Sequence, residues 1–458
     1  MTDRHLVVVG GGITGLSAAW EALAHPGWRV TVVEAAARLG GKVLTTAFAG
    51  RLVDEGADAF LRRVPEALEL CDELGIEGLV APATGHAFVF VGGALRPIPG
   101  GTVLGVPLDL EELARARVVS EASIGLARAE EDHPGPPPQD DVTIGAYLRP
   151  RVGDEIVDRL IEPLVGGIYA GEVDEMSLDA ATPQLAAAAH SGPSLRTGLR
   201  AAATATTGPV FAAPEGGMGV LVDALRGAIT NRGGQIVTGS AVEEVRSERS
   251  SGAVLVETAG ETYEADAVVI ATPARVASNV LGAASSEAAD LLGAVDAASV
   301  VLVTLAVDDD GSRQGSGFLV PRGEPGVRIT ACSWFTRKWA SLARDVDRGA
   351  ILRVSLGHDA DPGAIELSDD EVLGTVAADL GTTMGLDVDP ATARISRWRH
   401  GFPQYRVGHL DLMARVDAAL DRDLPRVAVA GASCRGIGIP ACVRQGRDAA
   451  RRLTGDER

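Results

Sequence analysis

Residues Leu6–Val9 form an unbroken apolar run, the pattern of a parallel strand buried on both faces. Gly10-Gly11-Gly12-Ile13-Thr14-Gly15 follows, and the Ala- and Leu-rich stretch Leu16–Ala24 predicts a helix. Arg29–Val33 is a second β-rich run that ends at Glu34. These patterns predict a β-α-β unit. Further on, Leu110–Arg128 predicts a helix, and the acidic, Pro-rich stretch Glu130–Asp141 predicts an exposed loop. Val142–Ala202 is mostly helical in pattern, with Gly and Pro breaks. Strand character returns in Gly234–Val237, Val254–Thr258 and Ala267–Ala271, then in Val300–Val307, Gly317–Pro321 and Ala350–Leu356. Ser368–Met384 predicts an amphipathic helix, Val427–Gly431 a buried strand, and Ala441–Leu453 a closing helix. Nucleotide-binding pattern thus occurs at both ends of the chain and in its middle. One domain assembled from three segments accounts for that.

At 458 residues the chain is long enough for two or three domains. A formal net charge of -20 disfavours nucleic acid and anionic membrane surfaces as partners. It also means that an anionic substrate needs a local basic cluster. Positive charge comes almost wholly from arginine, since only Lys42 and Lys338 are lysines. Arginine is the better fork for carboxylates, although a genome-wide bias explains the preference more simply. Cys71, Cys332, Cys434 and Cys442 form no CxxC pair, and His190, His358, His400 and His409 lack metal-ligand spacing, so no metal is expected. Few thiols, no signal segment and no apolar run of 18 residues together predict a reduced cytoplasmic setting without stable membrane insertion.

Gly10-x-Gly12-x-x-Gly15 follows a strand, opens a helix and precedes an acid at the end of the next strand, Glu34. That context marks a dinucleotide site. Gly10 permits the tight turn, Gly12 lets backbone approach a pyrophosphate, and Gly15 lets helix and strand pack closely. The helix N-terminus, including Ile13 and Thr14, offers N–H groups to the phosphates. Glu34 suits ribose hydroxyls and disfavours a 2′-phosphate.

The stretch Glu34-Ala35-Ala-Ala-Arg38-Leu-Gly40-Gly41-Lys42 resembles the extended FAD signature of the flavin amine oxidase and protoporphyrinogen oxidase superfamily. Asp54-Glu55-Gly56-Ala57-Asp58-Ala59-Phe60 resembles the segment of that superfamily which passes close to the isoalloxazine. Later blocks narrow the resemblance. Gly431–Val443 resembles the closing motif of protoporphyrinogen/coproporphyrinogen oxidases of the HemY type. So do Glu162-Pro-Leu-Val-Gly-Gly167-Ile-Tyr169-Ala-Gly171 and Pro403-Gln404-Tyr405…Gly408-His409, the latter preceded by Trp398. Leu95-Arg96-Pro-Ile-Pro99 and Gly105-Val-Pro107 fit as well.

This resemblance covers essentially the whole chain. It implies an α/β fold with a Rossmann-type FAD-binding domain (1–75, 210–275 and 426–458). It also implies a mixed-sheet substrate domain (76–94 and 276–425) and a helical domain (95–209). The implied cofactor is FAD. The implied reaction is oxygen-dependent oxidation of coproporphyrinogen III to coproporphyrin III with peroxide release, in haem biosynthesis. Protoporphyrinogen IX is the alternative substrate. Another flavin oxidase, such as an amine oxidase, is a further alternative, weakened by the scarcity of lysine and of aromatics. A non-catalytic carrier of flavin or tetrapyrrole stands as a third reading, and transient contact with a ferrochelatase suits either view.

For FAD, the resemblance implies contacts from Gly10–Gly15, Glu34, Ala35, Arg38, Gly40–Lys42, Gly56–Ala59, Val242, Trp398, Gly431 and Ile437-Gly438-Ile439. It places the backbone of Gly167 opposite the flavin, where its carbonyl would stabilise positive charge on the macrocycle. Arg62 and Arg63 are candidates for the substrate carboxylates, with Arg96, Arg196 and Arg200 weaker. Arg62 and Arg63 read equally as a solvated helix start, Arg38 as a surface ion pair, and Tyr169 as either a macrocycle contact or a core aromatic. Cys434 and Arg435 depart from the family pattern.

Overall fold

A computed structural model describes residues 4–203, 208–248, 252–308, 314–343, 349–388 and 392–455. The boundary expected at 209/210 therefore abuts residues 204–207, which lie outside the described set.

Five parallel strands form the first sheet, in the order Gln235–Thr238, Trp28–Glu34, Arg4–Val9, Ala267–Ile270, Val427–Val429. They come from three separate stretches of chain. Continuous apolar runs supply both faces. Leu6, Val8, Val30 and Val32 face a layer with helices Ile13–Ala22, Gly219–Asn231 and Ile439–Thr454. Val7, Val9 and Val33 face the opposite layer, with the antiparallel meander Val242–Ser247, Val254–Thr258, Thr262–Ala265.

The second sheet has seven strands. Its order is Ala393–Pro403, Ala297–Val307, Ala350–Leu356, Ala331–Trp334, Gly317–Leu319, Phe88–Val91, Ala94–Pro97. All neighbours are antiparallel except Gly317–Leu319 with Phe88–Val91, so the sheet is mixed. Phe90 and Phe318 pack on the side of helix Asp369–Met384, while Val89 and Val91 pack against a layer of helices drawn from 110–203. Ser368 and Glu371 form a reciprocal capping box that starts the helix Asp369–Met384.

Several expectations need correction. The pattern over Leu110–Arg128 is two helices, Leu110–Ala116 and Glu121–Asp132. Arg117 turns left-handed, Val118 and Val119 are buried, and Ser120 caps the second helix. The acidic stretch is not an exposed loop from Glu130. That residue is buried in the last turn of a helix, where its carboxylate accepts from Leu195 N (2.7 Å) and Ser194 Oγ (3.0 Å). The hairpin Phe88–Val91/Ala94–Pro97 carries the second sheet past residue 94. The strands Thr45–Phe48, Arg51–Asp54, Ala331–Trp334 and Ala393–Pro403 were not anticipated.

Candidate active site

Strand Arg4–Val9 ends at Gly10, whose φ of +105° suits glycine alone. A Cβ on Gly15 would lie 1.9 Å from Gly10 O, so helix and turn can meet only without one. A Cβ on Gly12 would meet nothing within 4 Å: the turn opens outward there. Gly12 is the N-cap and brings no side-chain cap, leaving the first N–H groups of helix Ile13–Ala22 available to an anion.

Glu34 binds the turn itself, its carboxylate accepting from Gly11 N (2.6 Å) and Ala36 N (2.8 Å). Gly40 N donates to Gly11 O at 2.8 Å, so the second glycine pair docks onto the first turn. Among the described residues Arg38 forms no ion pair. Its guanidinium donates to Leu39 O (3.2 Å) and Gly41 O (2.9 Å) and shapes that loop. Burial lowers the Lys42 ammonium pKa, partly opposed by Cys442. Exposed Ala35 lies beside Glu34, and Ser240 N donates to Glu34 O (3.0 Å), which brings the start of strand Val242–Ser247 close by.

The stretch 54–59 lies between the two sheets. A Cβ on Gly56 would lie 2.1 Å from Lys42 O and 3.4 Å from the Trp398 ring, and Trp398 Nε1 donates to Glu55 O at 2.9 Å. Arg353 donates to Gly56 O (2.6 Å). Asp58 turns its side chain away to Lys338 Nζ (2.6 Å), Trp339 Nε1 (3.3 Å) and Arg353 (3.6 Å). Burial alone would raise its pKa, but the two cations hold it well below the usual carboxylate range. The Asp58 side chain is thus engaged by protein groups, with Ala57 and Ala59 half-buried on either side. Asp58 also lines an open cleft of about 1100 Å3 with Arg51, Asp54, Phe335 and Trp339. None of the nucleotide-turn glycines lines that cleft.

The closing block is held from the second sheet's connection. Tyr405 OH donates to Ala432 O (2.7 Å) and accepts from Gly436 N (2.8 Å). His409 stacks on Tyr405 at 4.0 Å and its Nε2 meets Cys434 O at 2.7 Å. Gly431 and Gly436 have φ of +130° and +108°, and Gly431 faces Thr14. Ile437 is half-buried, Gly438 exposed and Ile439 buried at the start of the last helix. Cys434 points into the core, while Arg435 pairs with Asp417 (2.6 Å). Gly446 was missed by the sequence reading. A Cβ there would lie 2.2 Å from Thr14 O, so this glycine lets the last helix press against the nucleotide-binding one. Its position in an otherwise ordinary helix carries no local signal.

Gly167 is exposed near the end of helix Glu162–Tyr169, where an added Cβ would meet only Leu319 Cδ2, at 3.8 Å. Beyond it Ala170 packs with Ala298, Val300 and Leu302, against which Trp398 and Phe402 also lie. Tyr169 is a core aromatic rather than a macrocycle contact: it is 6% exposed and donates its hydroxyl to Ala181 O (2.9 Å). Arg196 and Arg200 are also structural. Arg196 is 2% exposed and bonded to Pro107 O, Ala127 O and Leu108 O, and both arginines pair with Glu131. Arg62 is half-buried, Arg63 exposed and Arg96 half-buried; among the described residues only Leu319, and neither Arg62 nor Arg63, comes within 4 Å of a Cβ placed on Gly167. No helix of the described residues is long and apolar enough to cross a membrane.

A parallel sheet with a glycine turn, an acid at the second strand's end and a second sheet leaning over it define a dinucleotide-dependent oxidoreductase. The sequence matches the flavin-containing amine oxidoreductase family over residues 13–454, and the chain belongs to that family. Its cofactor is FAD. The open face at Gly12, the docked Gly40-Gly41 pair and the half-buried Lys42 fit such a group. The chain is 36% identical over 453 residues to a coproporphyrinogen III oxidase of Mycobacterium tuberculosis, covering 97% of this chain and 96% of the relative. It is 32% identical over 465 residues to that of Bacillus subtilis, covering 97% of each. A crystal structure of a putative protoporphyrinogen oxidase from Exiguobacterium sp. 255-15 superposes with a TM-score of 0.89 at 32% identity over 100% of both chains.

Proposed function

We propose that the protein oxidises coproporphyrinogen III to coproporphyrin III, using FAD and molecular oxygen and releasing peroxide. The observation that carries this reading is the end of helix Glu162–Tyr169. It presents Gly167 to open space, with the apolar wall of Ala298, Val300, Leu302, Trp398 and Phe402 close by at Ala170. Trp398 links that wall to the 54–59 loop, which the family resemblance sets beside the flavin. When bound, FAD accepts two electrons at a time from the substrate and passes them to oxygen.

The chain's residues bind, orient and stabilise. Gly12, the helix N-terminus at Ile13 and Thr14, Glu34 and Gly41 hold the dinucleotide. The closing residues Gly431 and Ile437–Ile439 complete the cradle. The helix ends at Tyr169, so the carbonyls of its last turn lack intrahelical partners. Among the described residues no backbone N–H beyond the helix returns to Gly167 O. That carbonyl carries a preorganised partial negative charge toward a macrocycle that becomes positive as hydride leaves.

Arg96 is the best-placed carboxylate partner. Leu319 pairs with Val89, and Val89 with Arg96, so all three share one sheet face. Leu319 faces Gly167 on that side. Two strand spacings put Arg96 roughly 10 Å from Leu319, a span suited to a macrocycle with peripheral carboxylates. Arg62 and Arg63 serve as secondary candidates. Four substrate carboxylates in a chain of net charge -20 need such cations. A cytoplasmic location and a transient contact with a ferrochelatase complete the proposal.

The test follows porphyrin fluorescence and peroxide under air, with coproporphyrinogen III and protoporphyrinogen IX in parallel. Faster flavin-dependent formation of coproporphyrin supports the reading. Preference for protoporphyrinogen reverses the substrate, and rates no greater than autoxidation for both overturn it.

A further inference from the structure

The helix that carries Gly167 begins with a buried acid. Glu162 is 7% exposed, and its two carboxylate oxygens have separate tasks. Oε2 accepts from Val173 N at 2.9 Å, closing the loop beyond the helix back onto its first residue. Oε1 meets Arg322 Nη2 at 2.7 Å. The same Nη2 donates to Gly171 O at 2.5 Å, and Nη1 reaches Glu172 at 3.0 Å. One carboxylate and one guanidinium thus fasten residues 171–173 to the start of helix Glu162–Tyr169.

Local geometry shows why this brace is needed. The five residues before Glu162, Val157–Ile161, form a π-helical turn, and Gly105 packs so closely that a Cβ would lie 2.7 Å from Ile161 Cα. A widened turn re-aims the residues that follow it, here Glu162. At the other end Ala170 takes a left-handed φ of 51°, a strained setting for alanine that its surroundings must impose. Tyr169 O accepts from Gln404 Nε2 (2.8 Å), Ala170 O from Asp359 N (2.8 Å), and Gly171 O from Arg322. Three successive carbonyls are tied down from outside the helix, two residues past Gly167. A Cβ on Gly166 would meet Gly171 O at 3.0 Å and Glu162 Oε1 at 3.1 Å, so the acid sits directly beneath the exposed turn.

We propose that Glu162 and Arg322 are a positioning pair that fixes the orientation of the Gly167 carbonyl toward the reacting substrate. This rests on the reading of Gly167 given above. Neither side chain touches substrate in this account. They act by holding the helix end against the 170–173 turn.

The test uses the FAD-loaded full-length protein. Glu162→Gln keeps size but leaves one acceptor oxygen for two donors, and Arg322→Met removes the guanidinium. Each is expected to lower kcat about tenfold, equivalent to ~1.4 kcal/mol in the barrier. KM for coproporphyrinogen III, coproporphyrin binding by fluorescence quenching, and FAD content should stay within twofold. The double variant should be no slower than the slower single one, because both break one unit. Arg322→Lys, which keeps the charge, should recover part of kcat and serves if the Met variant folds poorly. Unchanged kcat, additive losses, or losses that follow FAD content overturn the inference. Gly167→Ala separates the two levels, since a methyl there fits the protein. If it leaves kcat intact, the reading of Gly167 fails. If it slows turnover while Glu162→Gln does not, only the positioning pair fails.

Discussion

Gly446→Ala tests how the last helix supports the nucleotide site. A Cβ at 446 would lie 2.2 Å from Thr14 O, where ordinary contact begins at 3.4 Å, so helices Ile439–Thr454 and Ile13–Ala22 must separate by about 1.2 Å. The obstacle is helix backbone and cannot rotate away. Overpacking of this kind costs up to ~3 kcal/mol, and alanine's better helix propensity offsets ~1. A net loss of ~2 kcal/mol remains. Thr14 belongs to the turn proposed to receive the dinucleotide phosphates, and Ile439 opens the helix that must move, so the free protein relieves the clash by letting the helices part and the cost returns when FAD requires the cradle closed. A 2 kcal/mol loss corresponds to roughly 30-fold weaker binding. The assay titrates apoprotein with FAD and follows flavin fluorescence. Gly227→Ala is the control, because its Cβ would meet nothing within 4 Å inside helix Gly219–Asn231. That variant should bind FAD normally and gain up to ~1 kcal/mol in stability. A Gly446→Ala protein whose FAD affinity stays within twofold of the parent would refute the reasoning.

Tyr405→Phe strands Ala432 O and Gly436 N, so a loss of ~1–3 kcal/mol and faster FAD release are expected, read by thermal unfolding and by flavin dissociation. Asp54 has its pKa pushed up to about 6 by burial. Its protonated form is thus favoured on folding, and its contribution is full below the unfolded value near 3.8 and is lost as pH rises through about 6. Asp54→Asn should flatten that alkaline decline in unfolding midpoints between pH 4 and 8; an unchanged profile would remove Asp54 as its source. Asp58 acts in the opposite sense, its contribution being lost as pH falls. Arg96→Met should raise KM for coproporphyrinogen III several-fold with little change in kcat, and equal kinetics would exclude Arg96 from carboxylate binding.

Legibility followed the range of the interactions. The β-α-β unit could be read because its burial is local: unbroken apolar runs and a glycine turn need nothing distant to explain them. Ser368–Met384 was likewise visible, since a capping box and an apolar stripe lie within one helix. Ala393–Pro403 was not, because its alternating charges (Arg394, Arg397, Arg399) find partners only when Glu55, Asp369 and Glu366 come near. Glu130 looked like loop for the same reason, its burial depending on Leu195 some sixty residues on. Tyr169 read equally as a macrocycle contact or a core aromatic, and Arg196 as a weaker carboxylate candidate, because an aromatic or arginine signals only a large or charged group. Which way it faces is decided by packing, and both face inward.

The Pro403-Gln404-Tyr405 block shows why a motif far from both cofactor signatures belongs to the site. Gln404 Nε2 donates to Tyr169 O, at the end of the helix that carries Gly167. Tyr405, its neighbour, bonds Ala432 and Gly436 in the closing turn. Successive side chains of an extended chain point to opposite sides, so one short segment reaches both the proposed substrate-facing helix and the closing turn. Gln404 and Tyr405 are 1% and 0% exposed, which leaves little slack in either link. Gln404 and Tyr405 therefore tie the helix that carries Gly167 and the Gly431–Gly436 turn to one short segment, which bridges the gap between them. A displacement at 404–405 must move one side of the site relative to the other, and the proposed chemistry depends on that gap.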